Sequence, residues 1–166
     1  MLETDRLLLR PLRLADVDDF VALHSDDRVN RFVGSYTRDQ ALARLGTVEQ
    51  QWEQRGHGLF AVLDRTTGEF VGRVGPQFWD QFGEVEIAWT LRAERWGQGL
   101  ATEAARACVD WAFEHLDEHC LVAYIHPENA ASHRVAQRLG FTVLRADVLF
   151  DKPVVVYALN RPAPRA

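Results

Sequence analysis

Two glycines placed directly before a helix-like stretch are the first residues that suggest chemistry. They are Gly97 and Gly99 in RAERWGQGLATEAARA, residues 92–107. The first amides of a helix have no partners within the helix, and the helix dipole adds partial positive charge there. Glycines let a bulky anion reach those amides without meeting a Cβ atom. The pattern indicates an anion site, although a bare G-x-G is equally typical of a tight turn.

Two common phosphate-binding motifs do not fit this stretch. The Walker loop requires Gly-Lys-Ser/Thr, and the stretch contains no lysine. The dinucleotide fingerprint requires Gly or Ala where Thr102 stands. The acidic residue that this fingerprint needs about 20 positions later would also fall on a helix end. The glycines therefore belong to neither motif.

A carboxylate in an apolar strand offers acid–base chemistry. In EVEIAWTL, residues 84–91, alternation puts Glu84, Glu86, Ala88 and Thr90 on one face of the strand. Glu86 is the leading candidate for a general base, ahead of Glu84 and Asp80. The alternative is an ordinary solvated glutamate on a strand face.

Two further kinds of site are not supported. HLDEHC places His115, His119 and Cys120 at a spacing that can bind zinc on a helix. No second cluster completes four ligands, so no metal site is predicted. The sequence also lacks G-x-S-x-G, which leaves a hydrolase triad without support.

The elements that must position these residues alternate between strands and helices. The predicted order is strand, two helices, three strands, helix, strand, helix and two strands, which indicates one sheet with helices on its faces. The predicted strands cover 7–11, 58–64, 69–75, 84–91, 121–126, 141–150 and 154–159, with turns at 77–83 and 151–153. The predicted helices cover 16–25, 38–55, 99–116 and 129–139.

Length and composition indicate one globular domain, residues 1–160, and a frayed tail, residues 161–166. Of the 166 residues 47% are hydrophobic, which is enough for a packed core. The net charge is −5, so the chain lacks the excess of basic residues that nucleic-acid binding needs. The leucine-rich start carries Asp and Arg and is neither a signal peptide nor a membrane span. The two cysteines indicate no disulfide framework, so we expect a cytoplasmic protein.

Three motifs together resemble the GNAT N-acetyltransferase superfamily. ERWGQGLATEA, residues 94–104, is similar to the acyl-CoA-binding pattern Q/R-x-x-G-x-G/A, with Gly99 and Ala101 in the last two positions and Trp96 in place of Gln or Arg. ETDRLLLRPLRLAD, residues 3–16, and NAASHRVAQRLGF, residues 129–141, resemble signatures of the ribosomal-protein N-acetyltransferase (RimJ/RimL-type) branch. The motifs occur in the family's order and cover nearly the whole chain.

The resemblance implies an α/β fold with a mixed, mostly antiparallel sheet of six to seven strands and about four helices. The sheet would splay open between strands 84–91 and 121–126, where the pantetheine arm of acetyl-CoA would lie. Acetyl-CoA is thus the implied cosubstrate, with its diphosphate on the amides of residues 97–102 and its pantetheine along residues 88–91. The implied coenzyme-binding residues are Ala88, Trp89, Thr90, Leu91, Trp96, Gly97, Gln98, Gly99, Leu100, Ala101, Thr102, Asn129 and Ser132.

Several of these residues also have a plain structural interpretation. Asn129 would contact the pantetheine arm, but Asn is also a good helix N-cap. Ser132 would lie near the thiol as proton donor, or would only satisfy a backbone amide. Many superfamily members carry a tyrosine seven residues after this Asn, and here that position is Ala136. Tyr124 and Tyr157 are the other candidate proton donors.

The implied reaction is direct attack of an amine on the thioester, and only the neutral amine reacts. Deprotonation at pH 7 costs about 1.4 kcal/mol for an α-amine and about 4.6 kcal/mol for a lysine. One modest base at Glu86 therefore suits an α-amine, in agreement with the protein N-terminus that the resemblance implies.

Other functions and an assembly stay open at this point. They are acetylation of a small amine (amino acid, polyamine or antibiotic), a non-catalytic coenzyme-binding module, and a nucleotide-binding regulator. Trp79 and Phe82, in the segment QFWDQF, are expected to wall the acceptor pocket or to form a homodimer contact.

Overall fold

The computed structural model describes residues 1–165. Within that range the strands are β1 (Leu2–Glu3), β2 (Leu7–Pro11), β3 (Phe60–Asp64), β4 (Phe70–Trp79), β5 (Glu84–Leu91), β6 (Cys120–Ile125), β7 (Thr142–Leu149) and β8 (Lys152–Asn160). The α-helices are α1 (Val17–Ser25), α2 (Asp27–Val33), α3 (Arg38–Arg55), α4 (Leu100–His115) and α5 (Ala130–Leu139). Two short 3₁₀ helices cover Leu14–Asp16 and Ala93–Arg95.

The strands form one sheet in the order β1-β2-β3-β4-β5-β6-β8-β7. All neighbours are antiparallel except β5 and β6, which run parallel and share a single registered pair, Glu86 with Val122. The predicted α/β fold with a mixed, mostly antiparallel sheet is thus confirmed. Residues 1–165 hold eight strands and five α-helices, because the two-residue β1 and the short α2 add to the predicted set.

Helices cover the two faces of the sheet unequally. On one face, α4 and α5 pack their small and apolar residues against the centre of the sheet; Ala104, Ala105 and Cys108 are fully buried there. On the other face, α1, α2 and α3 pack against the N-terminal strands through Phe20, Leu45 and their neighbours. Alternation along β5 therefore sends Val85 and Ile87 toward α4, whereas Glu86, Ala88 and Thr90 point to the face of α1–α3.

Local capping explains the helix bounds near the site. Thr37 forms a capping box at the start of α3, in which its hydroxyl accepts from the Gln40 amide and its own amide donates to the Gln40 side chain. Asp26 is the N-cap of α2, and its side chain accepts from the Arg28 amide. We did not predict this helix because its seven residues show little periodicity. Asn129 caps α5 as expected.

Two predicted turns are wrong in detail. Residues 77–79 extend β4 instead of forming a turn, because Gln77, Phe78 and Trp79 pair with residues 84–86 of β5. The last hairpin turns at Phe150 and Asp151, which both have positive φ, so Lys152 and Pro153 already belong to β8. Ordered contacts also continue past residue 160, since the Arg161 guanidinium donates to the carbonyls of Phe113, Leu116 and Glu118. Of the predicted tail, Ala166 lies outside the described residues.

No helix within residues 1–165 combines the length and the apolar character that crossing a membrane requires.

Candidate active site

The loop before α4 presents a row of free backbone amides. Gly97 and Gly99 both have positive φ, +74° and +77°, a region that L side chains rarely adopt. The amides of residues 97–102 find no hydrogen-bond acceptor among residues 1–165; the first amide to do so is that of Glu103, which donates to the Gly99 carbonyl. The Thr102 hydroxyl is also buried without a partner in this part of the chain. These donors are the ones expected for an anion site at a helix N-terminus.

Arg6 fixes this loop, and sequence reasoning gave it no role. Its Nε donates to Glu103 Oε1 at 2.8 Å, and its Nη1 donates to the Gln98 carbonyl at 2.8 Å. The Thr4 hydroxyl donates to the other oxygen of Glu103 at 2.6 Å. These bonds tie the N-terminal segment to the start of α4. The signal was present in ETDRLLLRPL, the opening motif, in which Thr4 and Arg6 stand.

The two arginines closest to the loop in sequence are engaged by the protein's own carboxylates. Arg92 lies 3.3 Å from Asp19 and 3.5 Å from Glu69, and Arg95 lies 2.9 Å from Asp64. Trp96, which is 49% exposed, donates its indole N–H to the Leu91 carbonyl at 3.0 Å. Arg6 is likewise paired with Glu103, so the positive charge available at the loop comes mainly from the free amides.

A cavity of about 550 Å³ lies where β5 and β6 part. It brings together seven of the predicted site residues. These are Glu86, Ala88, Trp89, Thr90, Asn129, Ser132 and the candidate donor Tyr124. The N-terminal loop of α4, residues 97–102, is not part of the cavity lining. The predicted residues thus fall into two groups, one in the gap between the strands and one at the helix N-terminus.

Ser132 is held at the cavity by two neighbours. The Trp89 indole N–H donates to Ser132 Oγ at 3.2 Å, and Asn129 Oδ1 accepts from the Ser132 backbone amide at 3.3 Å. Asn129 therefore acts as the N-cap of α5, one of its two expected roles. Because Trp89 uses an acceptor position of the hydroxyl, the Ser132 O–H hydrogen remains available to donate.

Glu86 is a buried carboxylate surrounded by hydrogen-bond donors. Its Oε1 accepts from Gln77 Nε2 and Trp79 Nε1, both at 2.8 Å, and its Oε2 accepts a longer bond of 3.4 Å from the Tyr124 amide. Burial raises the pKa of Glu86 above its usual value, and these donors oppose the rise. A carboxylate has about four acceptor positions, so Oε2 keeps one for a water or an amine. This geometry is suitable for a general base.

Glu84, on the same face of β5, has a different environment. Its carboxylate accepts two bonds from Arg145, at 2.7 and 3.2 Å, and one from the Tyr124 hydroxyl at 2.7 Å. The Arg145 hydrogen bonds keep the pKa of Glu84 low, whereas burial and the bond to Glu84 raise the pKa of Tyr124. Tyr124 thus lines the cavity as a weak acid that already donates its proton to Glu84.

Aromatic side chains wall the cavity beside Glu86. Trp79 lines the cavity and binds Glu86, whereas Phe82 packs against Tyr124 with ring centroids 5.5 Å apart. Tyr157 is buried outside the cavity lining, and its hydroxyl bonds to His133 Nδ1 at 2.7 Å.

The HLDEHC segment shows no metal-site geometry. Among residues 1–165 no group of three or more His, Cys, Asp or Glu side chains is arranged to hold a metal ion. His115 instead stacks on Trp111, with ring centroids 4.8 Å apart, and its Nδ1 bonds to the carbonyl of that residue.

Sequence reasoning also missed a polar wall opposite the gap. Arg73, Gln77, Arg44 and Tyr36 line the cavity, and Arg73 is only 8% exposed. The Arg44 guanidinium donates to Gln77 Oε1, which links the wall to Glu86 through the Gln77 amide. An arginine in the middle of the apolar strand EFVGRVG was a signal for this wall, because an unpaired charge is rarely buried without a function.

Comparisons with known proteins identify the family of this chain. The family model described as "Acetyltransferase (GNAT) domain" matches residues 6–142. The protein YkkB of Bacillus subtilis is 33% identical over 160 residues, covering 94% of this chain and 93% of YkkB. A crystal structure of an acetyltransferase from Agrobacterium tumefaciens is 34% identical, with a TM-score of 0.86 over 96% of this chain and 94% of that one.

A more distant structure extends the comparison of folds. It is RimL, a ribosomal L7/L12 α-N-protein acetyltransferase in complex with coenzyme A, with 18% identity and a TM-score of 0.78. RimL and this chain each align over 95% of their length. At this identity the likeness shows the fold alone. The family match, the similar relatives and the parted sheet together show that this chain belongs to the GNAT family. It is an acyl-CoA-dependent N-acetyltransferase.

Proposed function

We propose that this N-acetyltransferase moves the acetyl group of acetyl-CoA to the α-amine of a protein or peptide N-terminus. The observation that carries the proposal is Glu86, a single buried carboxylate with one free acceptor position at the parted edges of β5 and β6. The proposal has three parts, which are the coenzyme site, the proton transfers and the choice of acceptor.

The coenzyme site fits the residues present. The six free amides of residues 97–102 and the unpartnered Thr102 hydroxyl suit the oxygens of a diphosphate. Past the single pair Glu86–Val122, the edge of β5 at residues 88–91 has no strand partner on the β6 side, which leaves main-chain groups for the pantetheine amides. Acetyl-CoA supplies the acetyl group when bound, main-chain groups of the protein hold the coenzyme, and side chains carry out the proton transfers.

Glu86 takes the proton of the amine in this proposal. Its Oε1 is fully engaged by Gln77 and Trp79, so the proton goes to Oε2, directly or through one water. The raised pKa of Glu86 makes its carboxylate a better base than an exposed glutamate. Trp79 and Gln77 keep the carboxylate in position.

Ser132 supplies the proton on the leaving-group side. Trp89 donates to its oxygen, so the O–H group is left to donate into the cavity. A thiolate with a free pKa of about 8.5 needs little help, so this contribution is expected to be smaller than that of the base.

The choice of an α-amine follows from the cost of deprotonation. At pH 7 that cost is about 1.4 kcal/mol for an α-amine and about 4.6 kcal/mol for lysine. Glu86 is the one carboxylate among the described lining residues of the cavity, and Glu84, outside that lining, is paired with Arg145. One such base matches the smaller cost.

Acetylation of a peptide library tests the proposal. The protein is incubated with acetyl-CoA and, in separate reactions, peptides with free N-termini, the same peptides with blocked N-termini and a free lysine, and polyamines. Thiol release and mass spectrometry report the product and the acetylated atom. We expect acetylation at the α-amine; acetylation confined to lysine side chains or polyamines would refute the acceptor, and coenzyme binding without turnover would refute catalysis.

A further inference from the structure

The wall of the cavity contains two guanidinium groups that have no carboxylate partner. Arg73 makes one hydrogen bond among residues 1–165, from its Nε to His24 Nε2 at 3.3 Å. Arg44 donates to the neutral amide of Gln77. Neither arginine forms an ion pair in the described chain, whereas Arg92, Arg95 and Arg145 all do.

His24 provides no countercharge for Arg73. It is fully buried, and its Nδ1 lies 2.9 Å from the Gly34 carbonyl. Because Nε2 accepts from Arg73, the proton is on Nδ1 and the ring is neutral. Burial and the charge of Arg73 lower the pKa of His24 to about 3, in agreement with a neutral ring.

The two arginines also disfavour each other. Burial and, to a smaller extent, the charge of Arg44 lower the pKa of Arg73 to about 10, although Tyr36 and Glu86 oppose this fall. Such a value leaves Arg73 charged at neutral pH. A buried charge without a partner is costly, and the terminal nitrogens of Arg73 have no acceptor within residues 1–165. An anion in the cavity would remove this cost.

The register of the strands places this cationic wall beside the proposed base. Arg73 of β4 lies opposite Thr90, and Gln77 lies opposite Glu86. Between these two pairs lies Ala88, a small residue that also lines the cavity, so no bulky side chain of β5 separates Arg73 from Glu86. Arg73 and Gln77 are four positions apart on β4, which corresponds to about 13 Å between their Cα atoms. The long side chains of Arg73 and Glu86 bring their charged groups closer together than this. A ligand with an amine at one end and an anion at the other fits this arrangement.

We propose that Arg73 and Arg44 bind a carboxylate carried by the acceptor, so that the preferred substrate is an α-amine with a carboxylate close by. Guanidinium groups bind carboxylates through paired, charge-assisted hydrogen bonds. The carboxylate has two sources, an acidic side chain in the first residues of a peptide or the α-carboxylate of an amino acid. This inference rests on the proposed acetylation of an α-amine.

Paired substrates test the inference. One arm compares peptides that differ only by Glu or Gln at the second residue; the other arm compares free amino acids with their amides. We expect kcat/KM to favour the carboxylate member by about tenfold to a hundredfold, the range of a charge-assisted hydrogen bond. The arm in which the preference appears identifies whether the carboxylate belongs to an acidic side chain or to an amino acid. Equal kcat/KM values for both members in both arms would overturn the inference.

Arginine variants locate the preference. We expect Arg44→Gln and Arg73→Gln each to bring the ratio of kcat/KM values toward one, and Arg73→Lys to keep part of it. Arg44→Gln, at a half-buried helix position, is informative even where Arg73→Gln fails to fold. Arg55→Gln, on the exposed end of the same helix, is the matched control and keeps the full ratio. A ratio unchanged in Arg44→Gln and Arg73→Lys alike would overturn the assignment.

A binding measurement separates this inference from the proposed function. Calorimetry with coenzyme A present reports whether the paired ligands bind without any turnover. Tighter binding of the carboxylate members without acetylation would leave the inference standing and refute the acetylation proposal. Acetylation of both members at equal rates and affinities would support the acetylation proposal and overturn the inference about the carboxylate.

Discussion

Replacement of Glu86 by glutamine removes a base while keeping the shape of the side chain. Glu86 accepts from Gln77 and Trp79 through Oε1, and a glutamine oxygen is able to keep both bonds. Its NH₂ group would then face the Tyr124 amide, which loses an acceptor at 3.4 Å. Loss of one partner by a buried donor costs about 1–3 kcal/mol, so the variant is expected to fold.

The loss of activity is expected to be larger than this loss of stability. A positioned general base contributes about 10²–10⁴ in rate, which corresponds to roughly 2.7–5.5 kcal/mol. We expect Glu86→Gln to lower kcat and kcat/KM by a factor in that range. The affinity for coenzyme A should not change, because the free amides of residues 97–102 lie outside the cavity that holds Glu86.

The pH dependence of kcat/KM gives the decisive readout. The amine and Glu86 must both lose a proton, so log(kcat/KM) should fall with a slope of two below both pKa values. Since the pKa of Glu86 is raised, this second slope begins at a higher pH than an ordinary glutamate would give. Glu86→Gln should leave a slope of one, due to the amine.

Glu84→Gln is the matched control for this experiment. Glu84 lies two residues away on the same face of β5 and is paired with Arg145, so its variant should keep the slope of two. Unchanged kcat in Glu86→Gln, or a slope of two that persists there, would refute Glu86 as the base.

Three more variants test the other parts of the site. Gly99→Val puts a branched side chain at φ +77°, which strains the backbone by about 1–2 kcal/mol. Calorimetry should therefore show coenzyme A binding weakened about tenfold. The control Gly46→Ala, within α3, should bind coenzyme A as tightly as the unmodified protein. Ser132→Ala should lower kcat by about tenfold or less, because a thiolate with a pKa near 8.5 leaves readily; a hundredfold loss would contradict this. His24 has a native pKa of about 3, so the unfolded chain binds more protons than the folded one below about pH 6.5. The free energy of unfolding should therefore fall between pH 6.5 and pH 3. Urea unfolding of His24→Gln should show a smaller fall over this range, and an equal fall would refute the assignment.

The parts of the fold that the sequence predicts are those with strong local signals. The helix at residues 38–55 follows from its capping box, and the loop before α4 follows from Gly97 and Gly99, both of which adopt positive φ. The short helix 27–33 has an N-cap at Asp26 but little apolar periodicity, and tertiary contacts with α1 support it. The strand at residues 77–79 is set by its pairing with β5, which no local rule captures.

The candidate site divides in the same way. Glu86 was found because a carboxylate in an apolar strand is unusual, and Asn129 because it precedes a helix. Arg6 escaped notice, because its role depends on contacts with Gln98 and Glu103, more than 90 positions along the chain. Arg73 and Arg44 escaped notice because their meeting depends on how α3 lies over β4.

The bonds from Thr4 and Arg6 to Gln98 and Glu103 also set an order of assembly for the nascent chain. Thr4 and Arg6 are synthesised well before residue 103, so their bonds to Glu103 form only after that residue has left the ribosome. A shortened chain that begins after residue 6 would retain the glycines and the helix, yet would lack the tether that holds them in place. The loop proposed to bind the coenzyme is therefore fully tethered only when residues 4–6 and residues 98–103 are in contact.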